Sequence, residues 1–529
     1  MRRALGAAVG RMPSTNQAAN NQTWSRTYGA PVRGKVTNQS LAKPVAESAL
    51  VLENWFPTLQ GARVRGGSSL HATIGSADVT ALFAYESGNT KELFAANDAV
   101  IYDVTAPSDP AVVPTPAISS LNGGYWSTVQ FETTGGDFLI CVNGVDTPRE
   151  YDGSAWSSST MTGLTTSKLS HVWSFKQRLF FVEDGSMRFW YLSVGAKTGA
   201  LTSFSMAGVF KRGGSLLMGG TWSLDAGDGL DDMCVIISTK GEVAVYQGTN
   251  PSSASDWSLV GVYSISAPLG KNAWMQAGGD FMVATVEGIV PISQAVSKDP
   301  AALSLSAVTS SIEPDWVEAV DGRQSLPWDL VRWDKNNLAL VCSPAPSSAI
   351  EDIGFSVNVE TGAWASLTGW DMHCGVVLDG VLYFGNGSGQ IMQGDVGGSD
   401  NGALYTCSYA GPFVGGRNEL QVATLVKAFF KATKGFEPKL SVSADYETVF
   451  PSAPGSVADA SVDEWDSGLW DAAVWDATRQ SNVSTPWRSV TGQGDVLSPQ
   501  VQISFGVGFK PDVELIKIQM EGYSGRRVT

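Results

Sequence analysis

From about Ala81 to Asp395 the chain repeats one pattern seven times: a short apolar run, a tight polar or glycine turn, and a second apolar run. The repeats are Leu93–Tyr102, Phe138–Gly144, Leu179–Gly185, Val235–Tyr246, Phe281–Gly288, Leu338–Cys342 and Val381–Gly387. Their starts are separated on average by about 48 residues, and a four-stranded antiparallel sheet takes roughly 40–50. The runs are rich in Val, Ile, Phe and Tyr. Many are bounded by Asn-Gly, Asp-Gly or Lys-Gly, dipeptides that accept the positive φ of two-residue hairpin turns. No apolar period of 3.6 residues lasts beyond a turn or two in this stretch, so helices should be few. The pattern predicts a mainly β chain built on a β-propeller of six or seven blades, its sixth unit split by a loop at Pro344–Ile350. A pair of β-sandwiches with evenly spaced hairpins is the competing architecture, and the period favours the propeller.

Several second runs end in aromatic corners: Tyr102, Tyr151 with Trp156, Trp190-Tyr191, Tyr246 and Trp364. Such residues suit the gap between neighbouring blades better than a ligand site. Beyond a glycine-rich boundary at 397–417, four runs read as strands of a C-terminal β-sandwich-like unit: Thr424–Ala432, Leu440–Tyr446, Val501–Val507 and Val513–Met520. The second and third alternate polar with apolar residues, as in a sheet with one wet face. Inside this unit lie Trp465-Asp466, Trp470-Asp471 and Trp475-Asp476, with Trp487 beyond. A spacing of five fits neither a helix face nor a strand face. It predicts a looping segment, each Trp anchored in a groove and each Asp turning the chain. The resulting division is an extended basic arm at 1–47, a propeller with its entry segment at 48–400, and an assembly or tip domain at 401–529.

Charge sharpens this division. Of 35 Lys/Arg and 51 Asp/Glu, residues 1–70 hold nine basic and two acidic, leaving 26 against 49 in the rest. The arm is rich in Asn, Gln, Ser and Thr and should order only against a partner. Arg2, Arg3, Arg11, Arg26, Arg33 and Lys35 are its candidates for docking on an acidic neighbour. The five cysteines, Cys141, Cys234, Cys342, Cys374 and Cys407, form no close pair, and three sit in or beside apolar runs, so they read as free buried thiols. Arg11 interrupts the apolar residues near the N-terminus, and no stretch approaches 18 apolar residues, so neither a signal peptide nor a membrane span is expected.

Chemistry is sparse. The histidines are His71, His171 and His373, and the only close ligand pair, His373-Cys374, would point to opposite faces of a strand. No nucleophile elbow, phosphate-binding loop or nucleotide fingerprint appears in usable context. Asp225, Asp228, Asp231 and Asp232 crowd one loop, but no bidentate glutamate closes a calcium site, so a solvated acidic loop is expected. No catalytic residue, cofactor or metal ligand is assigned, and a non-enzymatic role is expected.

One stretch carries a resemblance. Leu50–Pro57, ending Asn54-Trp55-Phe56-Pro57, leads into a turn punctuated by Gly61, Arg63, Arg65, Gly66 and Gly67. This entry ahead of propeller strands, with the Trp-Asp run before a final strand and Tyr523-Ser524-Gly525, resembles the tail nozzle proteins of short-tailed bacteriophages. These are also called tail hub or phage stabilisation proteins, and the resemblance spans most of residues 48–525. It implies a virion protein made in the bacterial cytoplasm and assembled as a homohexameric ring below the portal and adaptor rings. Such a ring carries fibres or spikes and lets DNA pass without specific binding. Under that implication the basic arm docks on the adaptor, and Trp465, Trp470, Trp475 and Trp487 form an assembly interface. Asp225, Asp228, Asp231 and Asp232 then face the channel, where an acidic wall repels phosphates. The alternative is a glycan-binding or glycan-cleaving propeller, which requires convergent carboxylates and an aromatic pocket at one end.

Overall fold

The computed structural model describes residues 22–223, 232–298, 303–344, 353–415, 419–433, 435–455, 481–506 and 508–525. Seven sheets stand around one axis, and at most junctions the first strand of one sheet neighbours the first strand of the next. These first strands are Ala81–Ser87, Ser127–Thr133, Leu169–Phe175, Leu216–Trp222, Trp274–Ala277, Asp329–Trp333 and Cys374–Leu378, which define blades 1 to 7. All seven apolar repeats fall on the second strands: Thr90–Ala96, Gly136–Val142, Arg178–Glu183, Met233–Ser238, Asp280–Thr285, Leu338–Cys342 and Val381–Gly385. Second strands are packed on both faces by neighbouring blades, which is why they read as unbroken apolar runs. Six blades are four-stranded. Blade 5 has three strands, and the short helix Ile292–Ser297 packs against its second and third.

Blade 7 takes its outermost strand, Ser68–Thr73, from ahead of blade 1 and pairs it antiparallel with Gln390–Gly394. That exchange closes the ring. The aromatic corners fill gaps between blades as expected: Tyr151 packs 5.3 Å from Tyr85 and 4.9 Å from Phe94 of blade 1, and Tyr246 lies 5.8 Å from Phe204 of blade 3. All five cysteines are buried and unbridged.

Blade 4 shows how tightly the blades pack. Gly219 and Gly220 are adjacent on its first strand, so their missing side chains would point to opposite faces. A Cβ on Gly219 would come within 2.6 Å of the Trp173 ring of blade 3, and one on Gly220 within 2.2 Å of the Phe281 ring of blade 5. Gly220→Ala is therefore expected to destabilise the chain by about 1–3 kcal/mol through overpacking, measured by urea unfolding. An unchanged midpoint would show that Phe281 can swing away.

The second unit is a two-layered sandwich, but it crosses the boundaries expected at 47/48 and 400/401. One sheet runs Trp55–Pro57, Ala62–Val64, Glu514–Gly525, Leu420–Ala432, with Ser481–Ser484 and Arg488–Gly494 along its far edge. The other is an outgrowth of blade 6. Its outer strand Trp364–Leu367 pairs with Val51–Glu53, which continues through Tyr405–Ala410 to Val496–Phe505 and Lys439–Ala444. The two layers enclose a core that includes Leu52, Trp55, Tyr409, Val426, Phe430, Val501, Ile503, Leu515 and Met520.

Two expectations are corrected here. Residues 22–47 are not an arm awaiting a partner, since Gln22–Gly29 pairs with the chain's own Glu514–Gly525, in register from Gln22↔Ser524 to Gly29↔Lys517. A polar strand of this kind gains its order from an edge supplied nearly 500 residues later, which local composition does not reveal. Nor does the alternating strand around Val501 have a wet face. Ser498, Gln500, Gln502 and Ser504 are buried because neighbours flank the strand on both sides. Several of these groups find partners there: Gln500 Nε2 donates to Ser443 Oγ at 2.6 Å, and Ser498 Oγ donates to Gly411 O at 2.6 Å.

Candidate functional site

The entry segment singled out in the sequence forms the joint between propeller and sandwich. Asn54 sits at φ 62°, a conformation that asparagine tolerates better than most residues and that turns the chain between Val51–Glu53 and Trp55–Pro57. Its side chain is fully used. Oδ1 accepts from Arg65 Nε at 2.9 Å and from Thr368 N at 3.0 Å, while Nδ2 donates to Thr368 Oγ1 and to Thr406 O. Asn54 thus ties blade 6 to the sandwich.

Arg65 completes the joint from a position with no solvent exposure. Nη1 donates to Gly66 O at 2.9 Å and Asp400 Oδ1 at 2.8 Å, and Nη2 donates to Thr368 O at 3.0 Å and Asp400 Oδ2 at 2.6 Å. With the Nε bond, all five donors of the guanidinium are satisfied. The cation lies 4.1 Å from the centre of the Tyr405 ring and 4.7 Å from that of Trp370. Trp370 Nε1 and Arg65 share Asp400, and Tyr405 returns its hydroxyl to Arg65 O at 2.7 Å. Next door, Asp395 accepts from Arg63 and Lys510, and burial alone would raise its carboxyl, but these cations outweigh burial and hold it below the usual range. Gly67 must stay glycine, because a Cβ there would fall 2.0 Å from Ser399 O.

The propeller axis is a second concentration of polar groups, around a cavity of about 470 Å³ lined in part by Tyr125, Trp274, Asp329, Arg332 and His373. Lys271, leading into blade 5, reaches across to donate to Asn143 O of blade 2 at 3.2 Å and Ser170 O of blade 3 at 2.8 Å. Its neighbour Asn272 donates from Nδ2 to Trp126 O at 2.9 Å and from its backbone N–H to Tyr125 Oη at 3.1 Å. Burial pulls the Lys271 amine down to about 7, against the field of Asp184. His171 accepts from Ser127 Oγ at Nδ1 and donates from Nε2 to Gly219 O, and burial pulls it down to about 3, so it stays neutral. Asp329 accepts from Gly375 N at 3.1 Å, and burial lifts its carboxyl to about 7. At the closing seam, His373 bridges Asp78 at 2.7 Å and Asp371 at 2.8 Å. Burial would lower it, but the two carboxylates prevail and raise it to about 10. In each case the polar group is spent on joining one blade to another.

The residues nominated from sequence scatter. Arg2, Arg3, Arg11, Asp225, Asp228, Asp231, Trp465, Trp470 and Trp475 lie outside the described residues. Arg26 donates to Val414 O at 2.7 Å and Gln421 Oε1 at 3.1 Å, and Lys35 pairs with Asp315 at 2.6 Å, so both are committed within the chain. Arg33 is exposed. Trp487 is 39% exposed, with the Lys427 ammonium 6.0 Å from its ring. Asp232, expected on a channel-facing loop, is instead buried at the start of blade 4's second strand, 3.4 Å from Lys176 Nζ. The joint residues Asn54 and Arg65 stood in the motif but were not nominated. The clue was two arginines set among glycines at a boundary, where a carboxylate from afar could meet them.

Neither a family model nor a curated protein sequence matches the chain. Among solved structures it is similar to Raptor from Chaetomium thermophilum, at 11% identity and a TM-score of 0.40, over 63% of this chain and 29% of that one. It is also similar to the β-propeller domain of Cps50 (Swd1) from Myceliophteria thermophila, at 12% identity and a TM-score of 0.38, over 62% of this chain and 99% of that one. The chain itself is a β-propeller whose sixth blade grows into a sandwich built from both ends of the sequence.

Proposed function

We propose that the chain is a structural subunit of a bacteriophage tail, a nozzle-type ring below the portal and adaptor through which DNA leaves. The observation that carries this reading is the joint. Asn54, Arg65, Gly66 and Gly67, which bear the resemblance to nozzle proteins, are the residues that weld propeller to sandwich. Domains in one chain move relative to each other by default. Here a continuous sheet and a buried Arg65–Asp400 pair fix their angle, which suits a load-bearing ring better than a ligand-gated scaffold. The axial polar groups support the same role, since they stitch blades together. The acidic balance beyond residue 70 suits a conduit that must not retain phosphates. Adaptor docking then falls to residues 1–21 and Arg33, and fibres or spikes attach elsewhere on the ring. Glycan cleavage gains no comparable support: among its described lining residues the axial cavity has one carboxylate, Asp329, where that chemistry uses two.

Light scattering and negative-stain imaging of the purified chain test the proposal. The expected particle has six times the 55.9 kDa chain mass and a central hole, formed alone or on addition of the adaptor ring. A chain that stays monomeric and ignores the adaptor ring overturns it.

A further inference from the structure

Among the described residues, five of the seven blades have covered or short outer edges, and the outer strand of blade 7, Ser68–Thr73, is largely polar. Blade 5 has its helix, blade 6 is paired to Val51–Glu53, and the outer strands of blades 1 to 3 are the short segments Pro116–Ile118, Trp156–Ser158 and Thr202–Ser205. Blade 4 ends instead in the seven-residue strand Ser258–Ser264, paired on one side only, to Glu242–Gln247. Its Leu259, Val260 and Val262 are 44%, 45% and 40% exposed. From Trp257 to Gly270 there is no charged residue to discourage pairing. The register slips between Val245 and Tyr246, so Val260 is an inserted bulge residue, and even this irregularity presents an aliphatic side chain. An unpaired, uncharged, aliphatic edge is a surface built to be covered.

Basic side chains adjoin its Ser264 end. Glu242, paired there with Ser264, accepts from the backbone N–H groups of Lys211 and Arg212. Lys240 lies in the turn just before Glu242, and Arg188 and Lys168 follow on the same side of blade 3. All five side chains are exposed, and none forms a salt bridge among the described residues. In a chain with net charge −16, these five cations outnumber the Glu183, Asp184 and Glu242 carboxylates beside them.

The complementary chemistry lies in the same sequence. Residues 456–480 carry six acidic side chains, a single arginine near their end, and Trp465, Trp470 and Trp475. They leave the sandwich after Gly455 and return at Ser481, and the sandwich joins the propeller at blade 6, two blades round from blade 4. Twenty-five residues looping out and back span up to roughly 40 Å. A closed ring needs two different patches on each subunit, placed so that one copy's first patch meets the next copy's second. We propose that residues 456–480 of one copy dock on the blade 4 edge of a second copy. The tryptophans seat against Leu259, Val260 and Val262, and the carboxylates meet Lys211, Arg212, Lys240, Arg188 and Lys168. This deepens the ring reading and rests on its claim that copies of the chain meet.

The test uses the full chain, a chain in which a Gly-Ser linker replaces residues 456–480, and a labelled synthetic peptide of those residues. The peptide is expected to bind the linker chain, to weaken as salt is raised, and to lose at least tenfold in affinity with Val260→Lys/Val262→Lys or with Lys211→Glu/Arg212→Glu. These positions are exposed, so the variants keep the fold. The linker chain is expected to stay monomeric where the full chain assembles. A peptide that does not bind, or binds every variant alike, overturns the proposal. A monomeric full chain whose own segment blocks the peptide places the segment on its own propeller and overturns the second-copy assignment. If the linker chain still forms rings, the docking proposal falls while the ring reading stands. If the peptide binds as expected, with the full chain remaining monomeric and open to it even with the adaptor ring, both the second-copy assignment and the ring reading fall.

Discussion

Asp400→Ala is expected to destabilise the chain by about 3–5 kcal/mol, the cost of stranding a buried charge by removing its partner. The Arg65 side chain has no solvent exposure and that of Asp400 has 10%, so water cannot take over the lost contacts. The substitution removes acceptors from one donor on each of Nη1 and Nη2, and from Trp370 Nε1. The guanidinium keeps Asn54 Oδ1, Gly66 O and Thr368 O, which hold it in place without neutralising it. Coupling should suffer along with stability. Arg65 and Asp400 link the start of the closing strand to the turn into the sandwich, so the variant should unfold in two separated transitions where the parent shows one. Urea unfolding followed by tryptophan fluorescence, with limited proteolysis to release the sandwich, measures both effects. The double variant Arg65→Met/Asp400→Leu should recover much of the loss, because it removes the charge along with its partner. A loss below about 1 kcal/mol for Asp400→Ala would show that the pair is solvated and the joint is held by sheet continuity alone.

What the sequence reveals of this molecule follows from where each residue finds its partner. The seven second strands were legible because burial on both faces leaves an unbroken apolar run between hairpin turns. Tyr151 and Tyr246 were legible as inter-blade packing because a large ring at a strand end has few other uses in a propeller. The closing strand Ser68–Thr73 was not, since its partner lies at Gln390–Gly394 and its own composition is polar. The same distance hid Gln22–Gly29, paired with the last strand, and the Arg65–Asp400 pair, 335 residues apart. At Val496–Phe505 the alternation was read correctly and its meaning was not. A polar face looks wet until neighbouring strands of the sheet supply its hydrogen-bond partners, as Ser441 and Ser443 on the adjacent strand do for Gln500. Arg26 and Lys35 looked like free arm charges for a related reason. Gln421 and Asp315, which occupy them, lie hundreds of residues away.

The difference in stability between the parent chain and Lys271→Met should widen steadily as pH rises from 7 to 10. Lys271 is buried at the axis, and burial pulls its amine from 10.5 in the unfolded chain to about 7 in the fold. Between those values the unfolded chain holds a proton that the folded chain lacks, so stability rises with pH, by up to about 1.4 kcal/mol per pH unit. The contribution is fully present above 10.5 and is lost as pH falls through 7. The geometry accommodates the neutral form, because an uncharged amine retains two N–H donors and two carbonyls wait for them, Asn143 O and Ser170 O. Methionine keeps the length of the side chain but leaves those carbonyls unpaired, at about 1–3 kcal/mol each. At pH 10 the parent therefore holds its largest advantage, and toward pH 7 the cost of the buried ammonium erodes it. His373 acts in the opposite sense, its contribution being full below 6.5 and lost as pH rises through about 10. Both chains carry it, as they carry Asp329, so these effects cancel in the difference. Urea midpoints of the two chains at half-unit steps of pH give the curve. A gap that stays flat or narrows on the way to pH 10 would mean that the amine stays charged inside the propeller, with the Tyr125 ring, 4.7 Å from Nζ, stabilising it enough to offset burial.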